Sequence, residues 1–217
     1  MWTPSPKLGP PVTPAIGSWD DLVDLFLRPE VAIRRRIENP SDDRPLKALW
    51  LAMVATHLST MDNKLAGGNP AAAIETAGQS WGTFFAAAAG MGVITFVLAW
   101  FLLGGWYVLR LSAAGAPNVD NDAGRSTYAW VHFVGAFPIL LWTAFIALWY
   151  HDPISAARAD VIAGWTLVVV AIWPIWISYR AATEVFGARR GAALFWFVGL
   201  PVAWDFLLGA TILWRNS

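Results

Sequence analysis

The chain predicts an all-α integral membrane protein: a five-transmembrane-helix bundle with a short N-terminal amphipathic helical segment. Three observations predict it. Hydrophobic residues make up 57% of the 217 residues and charged ones 14%, against ~25% charged in a typical soluble domain. No Asp, Glu, Lys or Arg interrupts the runs between Glu75 and Arg110, between Arg125 and Asp152, or between Asp160 and Arg180. Each run reaches or approaches the ~20 residues that a helix needs to cross the hydrocarbon. Third, the basic residues fall mostly on one side of the resulting topology.

Residues 1–17 read as a flexible, Pro-rich N-terminus without the basic-then-apolar order of a signal peptide, so insertion is expected to rely on the spans themselves. Residues 18–44 read as an amphipathic membrane-surface segment. Ser18 followed by Asp21 has the form of an N-cap with an acid in the first turn. Trp19, Leu22, Val23 and Phe26 then recur at helical spacing, and Pro29 suits the first turn of a second short helix. There Val31, Ile33 and Ile37 alternate with Arg34, Arg35 and Arg36. That basic run has two readings: contact with an anionic cytoplasmic leaflet, or only the topology signal before a first span.

Residues 45–214 form the membrane domain, with spans near 46–61, 81–109, 127–150, 161–182 and 191–214. The segment 46–61 is the shortest, roughly 24 Å at 1.5 Å per residue against a ~30 Å core. Basic residues decide the count. Five spans place 12 Lys and Arg on one side and 3 on the other, whereas omitting 46–61 gives 10 against 5. The positive-inside rule therefore favours five spans, a cytoplasmic N-terminus and a C-terminus on the opposite side. Trp81, Trp106, Tyr107, Trp149, Tyr150, Tyr179 and Trp214 lie at or near span ends, where amphipathic rings favour the headgroup region. Trp100, Trp142, Trp173 and Trp204 fall deeper, as packing bulk or as the wall of a pigment or lipid site.

Five features stand out as candidates. Asp205 is the one charge within 191–211, and a carboxylate at that depth is a proton or cation site, or a hydrogen-bonded group that sets helix register. His57 and His132 are further intramembrane polar candidates. His57 and His151, toward the outer side, could in principle ligate a haem or another planar pigment, but no span carries paired histidines, and interfacial hydrogen bonding explains His57, His132 and His151. Gly78, Gly82, Ala86 and Gly90 recur every four residues as a small-residue stripe, for packing within the bundle or for homodimerisation. Pro138, Pro174 and Pro201 lie inside the last three spans, where each frees the carbonyl four residues earlier, at Val134, Val170 and Phe197. Arg180 and Glu184 read as an intrahelical ion pair.

Zero formal net charge removes the electrostatic basis for binding nucleic acid. The absence of cysteine excludes disulfides and thiolate sites. No metal-ligand cluster, activated serine or phosphate-binding glycine loop is legible, so neither an enzyme nor a cofactor is expected.

The run Leu22, Val23, Asp24, Leu25, Phe26, Leu27, Arg28, Pro29, continuing to Ala32, Ile33 and Ile37 and broken at Asn39 and Pro40, resembles the bacterial branch of the Yip-one family, the Ypt-interacting membrane proteins. So does the stretch from Tyr179 and Arg180 through Glu184 and Gly187 to Gly191, Ala192 and Ala193, and so does Pro138 eleven residues after Thr127. The resemblance covers most of residues 18–214. It implies a five-helix membrane domain with a cytoplasmic N-terminus, in a bacterial inner membrane. Eukaryotic members associate with prenylated GTPases through a Leu-Tyr-Gly-Pro-type motif before the first span; that motif is absent here, so a GTPase partner is not carried over. Asp205 and the many Trp depart from the family's aliphatic spans. The expected role is non-enzymatic, organising or scaffolding a membrane or membrane assembly, with the lipid bilayer and another membrane protein or a second copy as partners. An accessory subunit of a larger, possibly energy-transducing complex and a small transporter or lipid-moving protein using Asp205 are the alternatives.

Overall fold

In the computed structural model, which describes residues 19–38, 44–68, 70–117, 119–159, 164–204 and 207, helices follow one another with no strand among the described residues. The order is α1 (Trp19–Leu27), α2 (Pro29–Glu38), α3 (Arg44–Ala66), α4 (Ala72–Ala77), α5 (Trp81–Leu98), α6 (Gly104–Ala113), α7 (Asn121–Ile146), α8 (Pro153–Arg158), α9 (Gly164–Arg180) and α10 (Arg190–Leu194). Three π-helical turns extend these elements. Ala99–Leu103 joins α5 to α6, Ala181–Val185 continues α9, and Phe195–Gly199 continues α10 toward residues 200–204.

Local chemistry sets the ends. The Ser80 hydroxyl accepts from the Thr83 N–H at the start of α5, the Asp120 carboxylate accepts from the Ala123 N–H at the start of α7, and the Asp152 carboxylate accepts from the Ser155 N–H before Pro153 opens α8. Each side chain satisfies a first-turn N–H that has no partner within its helix. Gly115 (φ 79°) follows α6, and Gly187 (φ 68°) follows the π turn after α9. Both take the left-handed conformation that ends helices at low cost only for glycine. The two ends meet where the Arg189 N–H donates to the Ala114 carbonyl at 3.0 Å.

The segment proposed as a short first span, 46–61, lies inside the longer helix α3, whose 23 residues extend roughly 34 Å. α3 is the central helix and packs most extensively on α7 and then on α5. It buries Leu49, Ala52, Met53, Val54, Ala55, Leu58 and Met61. Among the described residues, two helices are long and apolar enough to cross a membrane, Trp81–Ala113 (33 residues) and Asn121–Ile146 (26 residues); Arg190–Trp204 is apolar but shorter. α7 runs through Pro138 without a break.

The first long helix carries an apolar outward face. Ile94 is 69% and Leu102 65% exposed, with Val93, Val97, Leu98, Phe101 and Leu109 also outward. Its buried face carries Phe84, Ala88, Gly92, Ala99, Gly104 and Tyr107. Glycine is required where helices come closest. A Cβ on Gly92 would lie 2.9 Å from Val54 Cγ2, and one on Gly124 2.5 Å from Val108 Cγ2.

Candidate functional site

Two features carry polar chemistry: the docking of the front hairpin α1–α2, and a polar cluster inside the bundle.

The hairpin turns on Arg28 between two short helices. Its inner face, Leu25, Ala32 and Ile33, is buried in one cluster with Ala48 of α3, Val131, Phe133 and Val134 of α7, and Ile177 and Ala181. Phe26 packs on Phe137 with ring centroids 5.7 Å apart. Ion pairs fix the arrangement. Arg180 at the end of α9 pairs with Glu30 at 3.1 Å and with Glu184 at 3.2 Å. Arg34 donates to the backbone carbonyl of Glu184, and Arg35 pairs with Asp24 at 3.2 Å. The Arg36 guanidinium lies 4.3 Å from the Trp130 ring centroid, a cation–π contact. Arg35 and Arg36 are each only 9% exposed. The three arginines, for which the sequence leaves leaflet contact and a topology signal both open, are engaged by protein groups of α1, α7 and the π turn after α9.

The second feature starts from Pro201. In the preceding π turn the Leu200 N–H donates to the Phe195 carbonyl, five residues back. The next rung would run from residue 201 to Trp196, and proline has no N–H. A π register continued by one residue would place the lost rung at Trp196 rather than at Phe197, the carbonyl expected for an α-helix. Arg110, from α6, donates to the Trp196 carbonyl through Nε at 2.8 Å and through a terminal guanidinium nitrogen as well. Its guanidinium also sits 4.4 Å from the Phe197 ring centroid. A side chain 86 residues away in sequence supplies the donor that the helix itself lacks.

Around this clamp lie Tyr107, Tyr128, His132 and Ser178. Tyr107 is 2% and Tyr128 4% exposed, with ring centroids 6.1 Å apart, and Tyr107 packs on Phe197 at 5.1 Å. Neither hydroxyl closes a hydrogen bond among the described residues, although Tyr107 lies beside Ser178. His132 Nδ1 is 3.0 Å from the Tyr128 carbonyl. A carbonyl only accepts, so Nδ1 carries the proton and Nε2 is left as an acceptor. The cluster thus offers two phenol donors and one imidazole acceptor, enclosed by α6, α7, α9 and α10.

The remaining sequence candidates are dispersed. Asp205 lies outside the described residues. His57 on α3 meets Thr95 of α5 at 3.0 Å. The Thr95 hydroxyl donates to the Met91 carbonyl, so His57 Nε2–H is the donor in that contact. The small-residue stripe is divided. Gly78 lies in the turn after α4, where a Cβ would come 3.0 Å from Ile154 and 3.1 Å from Leu65. Gly82, Ala86 and Gly90 face outward, and a Cβ on Gly90 would meet nothing within 4 Å. The internal close approach is made instead at Ala88 and Gly92, on the other side of the same helix. Among the described residues, no three His, Cys, Asp or Glu side chains gather as a metal site.

Sequence reasoning missed Arg110, Tyr107, Tyr128 and Ser178 as one cluster, and Glu30 as the partner of Arg180. A basic residue at a span end reads first as topology, and Arg110 could have been singled out only by asking what satisfies the carbonyl freed by Pro201. Comparison with protein-family models, with curated proteins and with solved structures returned no significant match.

Proposed function

We propose that this chain is a non-enzymatic, five-span membrane protein of the Yip type, with its N-terminus in the cytoplasm, that organises or scaffolds a membrane or membrane assembly. The observation that carries this reading is the apolar outward face of Trp81–Ala113. Its outward face is aliphatic and aromatic, while Tyr107 and the backbone-directed Arg110 face the interior of the bundle. Water-soluble helices reverse that arrangement, whereas hydrocarbon requires every polar group to be satisfied inside the protein. A scaffold presents fixed surfaces, and the ion-paired hairpin α1–α2 supplies one.

The outward Gly82, Ala86 and Gly90 favour a second reading, an accessory subunit of a larger complex, since small residues permit close backbone approach by another helix.

The topology test uses the absence of native cysteine. Single cysteines at Gln79 and His151 should react with a membrane-impermeant maleimide added from outside, and those at Ala116 and Gly187 only after the membrane is opened. The same accessibility at all four positions would refute the five-span reading. Gentle extraction followed by mass spectrometry separates the two roles: recovery with lipid alone supports the scaffold, and a stoichiometric partner the subunit.

A further inference from the structure

We infer that the α1–α2 hairpin is seated in the acyl region of a single leaflet, with Val23, Leu27 and Val31 as its lipid contacts. This rests on the five-span reading and names the partner of the hairpin's outer face: the hydrocarbon chains of the cytoplasmic leaflet.

Four observations converge on that face. Val23 is 52%, Leu27 65% and Val31 43% exposed. Val23 and Leu27 are one turn apart on α1, and Val31 follows in the first turn of α2, so the hairpin has a second apolar side besides the one buried on the bundle. Five of its nine charges are met by protein groups, while Arg28 and Glu38 are exposed. Asp24 pairs with Arg35, Glu30 with Arg180, Arg34 donates to the Glu184 carbonyl and Arg36 stacks on Trp130. Residues 19–38 carry five acids against four arginines, so the hairpin presents no net positive field to an anionic headgroup layer.

Depth is the third observation. Phe137, the partner of Phe26, lies twelve residues beyond Arg125 on α7, roughly 18 Å along the helix. Its ring leans back toward the start of α7, as long helical side chains do, which still leaves the contact well inside the charge-free run. Leu25 shares its cluster with Ile177, one turn inside Arg180. The fourth is continuity with a lipid-facing surface. The Arg180 that holds Glu30 also lies 5.6 Å from the Trp176 ring centroid, and Trp176 and Trp173 are outward-facing on α9. The hairpin is thus held against the outward face of α9, in the manner of interfacial helices that sink an apolar face into the acyl layer.

The test reads the depth of nitroxide labels on single-cysteine variants of the full chain in two vesicle preparations, phosphatidylcholine alone and an equal mixture with phosphatidylglycerol. Labels at Leu27 and Val31 should show a ratio of oxygen to aqueous-nickel collisions severalfold above that of a label at Glu75, and the ratio should be the same in both preparations. Leu102, outward on the first long helix, is the lipid reference. A nickel-accessible Leu27 with a lipid-exposed Leu102 overturns the inference and leaves the five-span reading standing. Nickel access at Leu102 overturns both. Shielding of Leu27 from oxygen and nickel alike overturns it in favour of a protein partner or second copy on this face. A ratio that rises only with phosphatidylglycerol overturns it in favour of headgroup recognition.

Discussion

If Arg110 stands in for the N–H that Pro201 lacks, its importance should depend on residue 201 being proline. Arg110→Met keeps most of the side-chain length and removes the donor, leaving the Trp196 carbonyl with no rung from residue 201 and no guanidinium. Hydrogen bonds to charged donors contribute about 1.5–3 kcal/mol in water-soluble proteins, while interhelical bonds in membrane proteins average about 0.6 and reach about 1.7. A loss of about 1.5 kcal/mol is expected, part of it the cation–π contact with Phe197. Pro201→Ala restores a backbone N–H to that rung. In the Pro201→Ala background Arg110→Met should then cost only about 0.5 kcal/mol, the remaining contact with the ring. A double-mutant cycle on reversible unfolding in mixed detergent micelles, followed by Trp fluorescence and far-ultraviolet circular dichroism, measures the coupling. An equal cost of Arg110→Met in both backgrounds would refute the assignment, because the arginine would then be stabilising something other than the carbonyl that proline frees.

Glycines on opposite sides of the bundle should respond with opposite signs. Gly124→Ala, with its Cβ driven to 2.5 Å from Val108, should cost about 1–3 kcal/mol by overpacking; Gly90→Ala, which meets nothing within 4 Å, should gain about 0.5–1 kcal/mol of helix stability. Thermal unfolding of the two variants checks the pair, and a loss at Gly90 would reveal a partner helix on the outward face. At α8, the hydrogen bond from the Ser155 N–H chiefly holds the Asp152 carboxyl below its ordinary value of 3.8, and nearby His151 lowers it further. A depressed folded value means that the cap's contribution is fully present above the ordinary carboxylate range and is lost as pH falls through the lowered value. Hydrogen exchange at the Ser155 amide should therefore show protection at neutral pH that disappears in acid, and Asp152→Ala should lack that protection at every pH.

Much of the helical layout was legible in local sequence. Pro29 opens α2 as read from the sequence, whereas the caps at Ser80, Asp120 and Asp152 and the left-handed Gly115 and Gly187 came only with the structure, although they too depend on a few adjacent residues. The pair Arg180–Glu184 was legible as well, since residues four apart on a helix are neighbours whatever surrounds them. The candidate site was much less legible. The row Gly82, Ala86 and Gly90 has the periodicity of a packing face, but periodicity names a face without saying what it faces, and in the fold the close contact falls on Gly92.

By itself, the sequence determined the helical class and the apolar runs long enough for a bilayer, because these depend on composition and on spacing along one chain. Tertiary structure alone decided that Arg35 and Arg36 turn inward, that Glu30 meets Arg180, and that Arg110 serves the carbonyl left by Pro201. Those outcomes depend on which helices lie side by side and on a one-residue shift of hydrogen-bond register. A long side chain carries the same charge whether it faces a headgroup or a neighbouring carbonyl, and only the docking of distant segments selects between them.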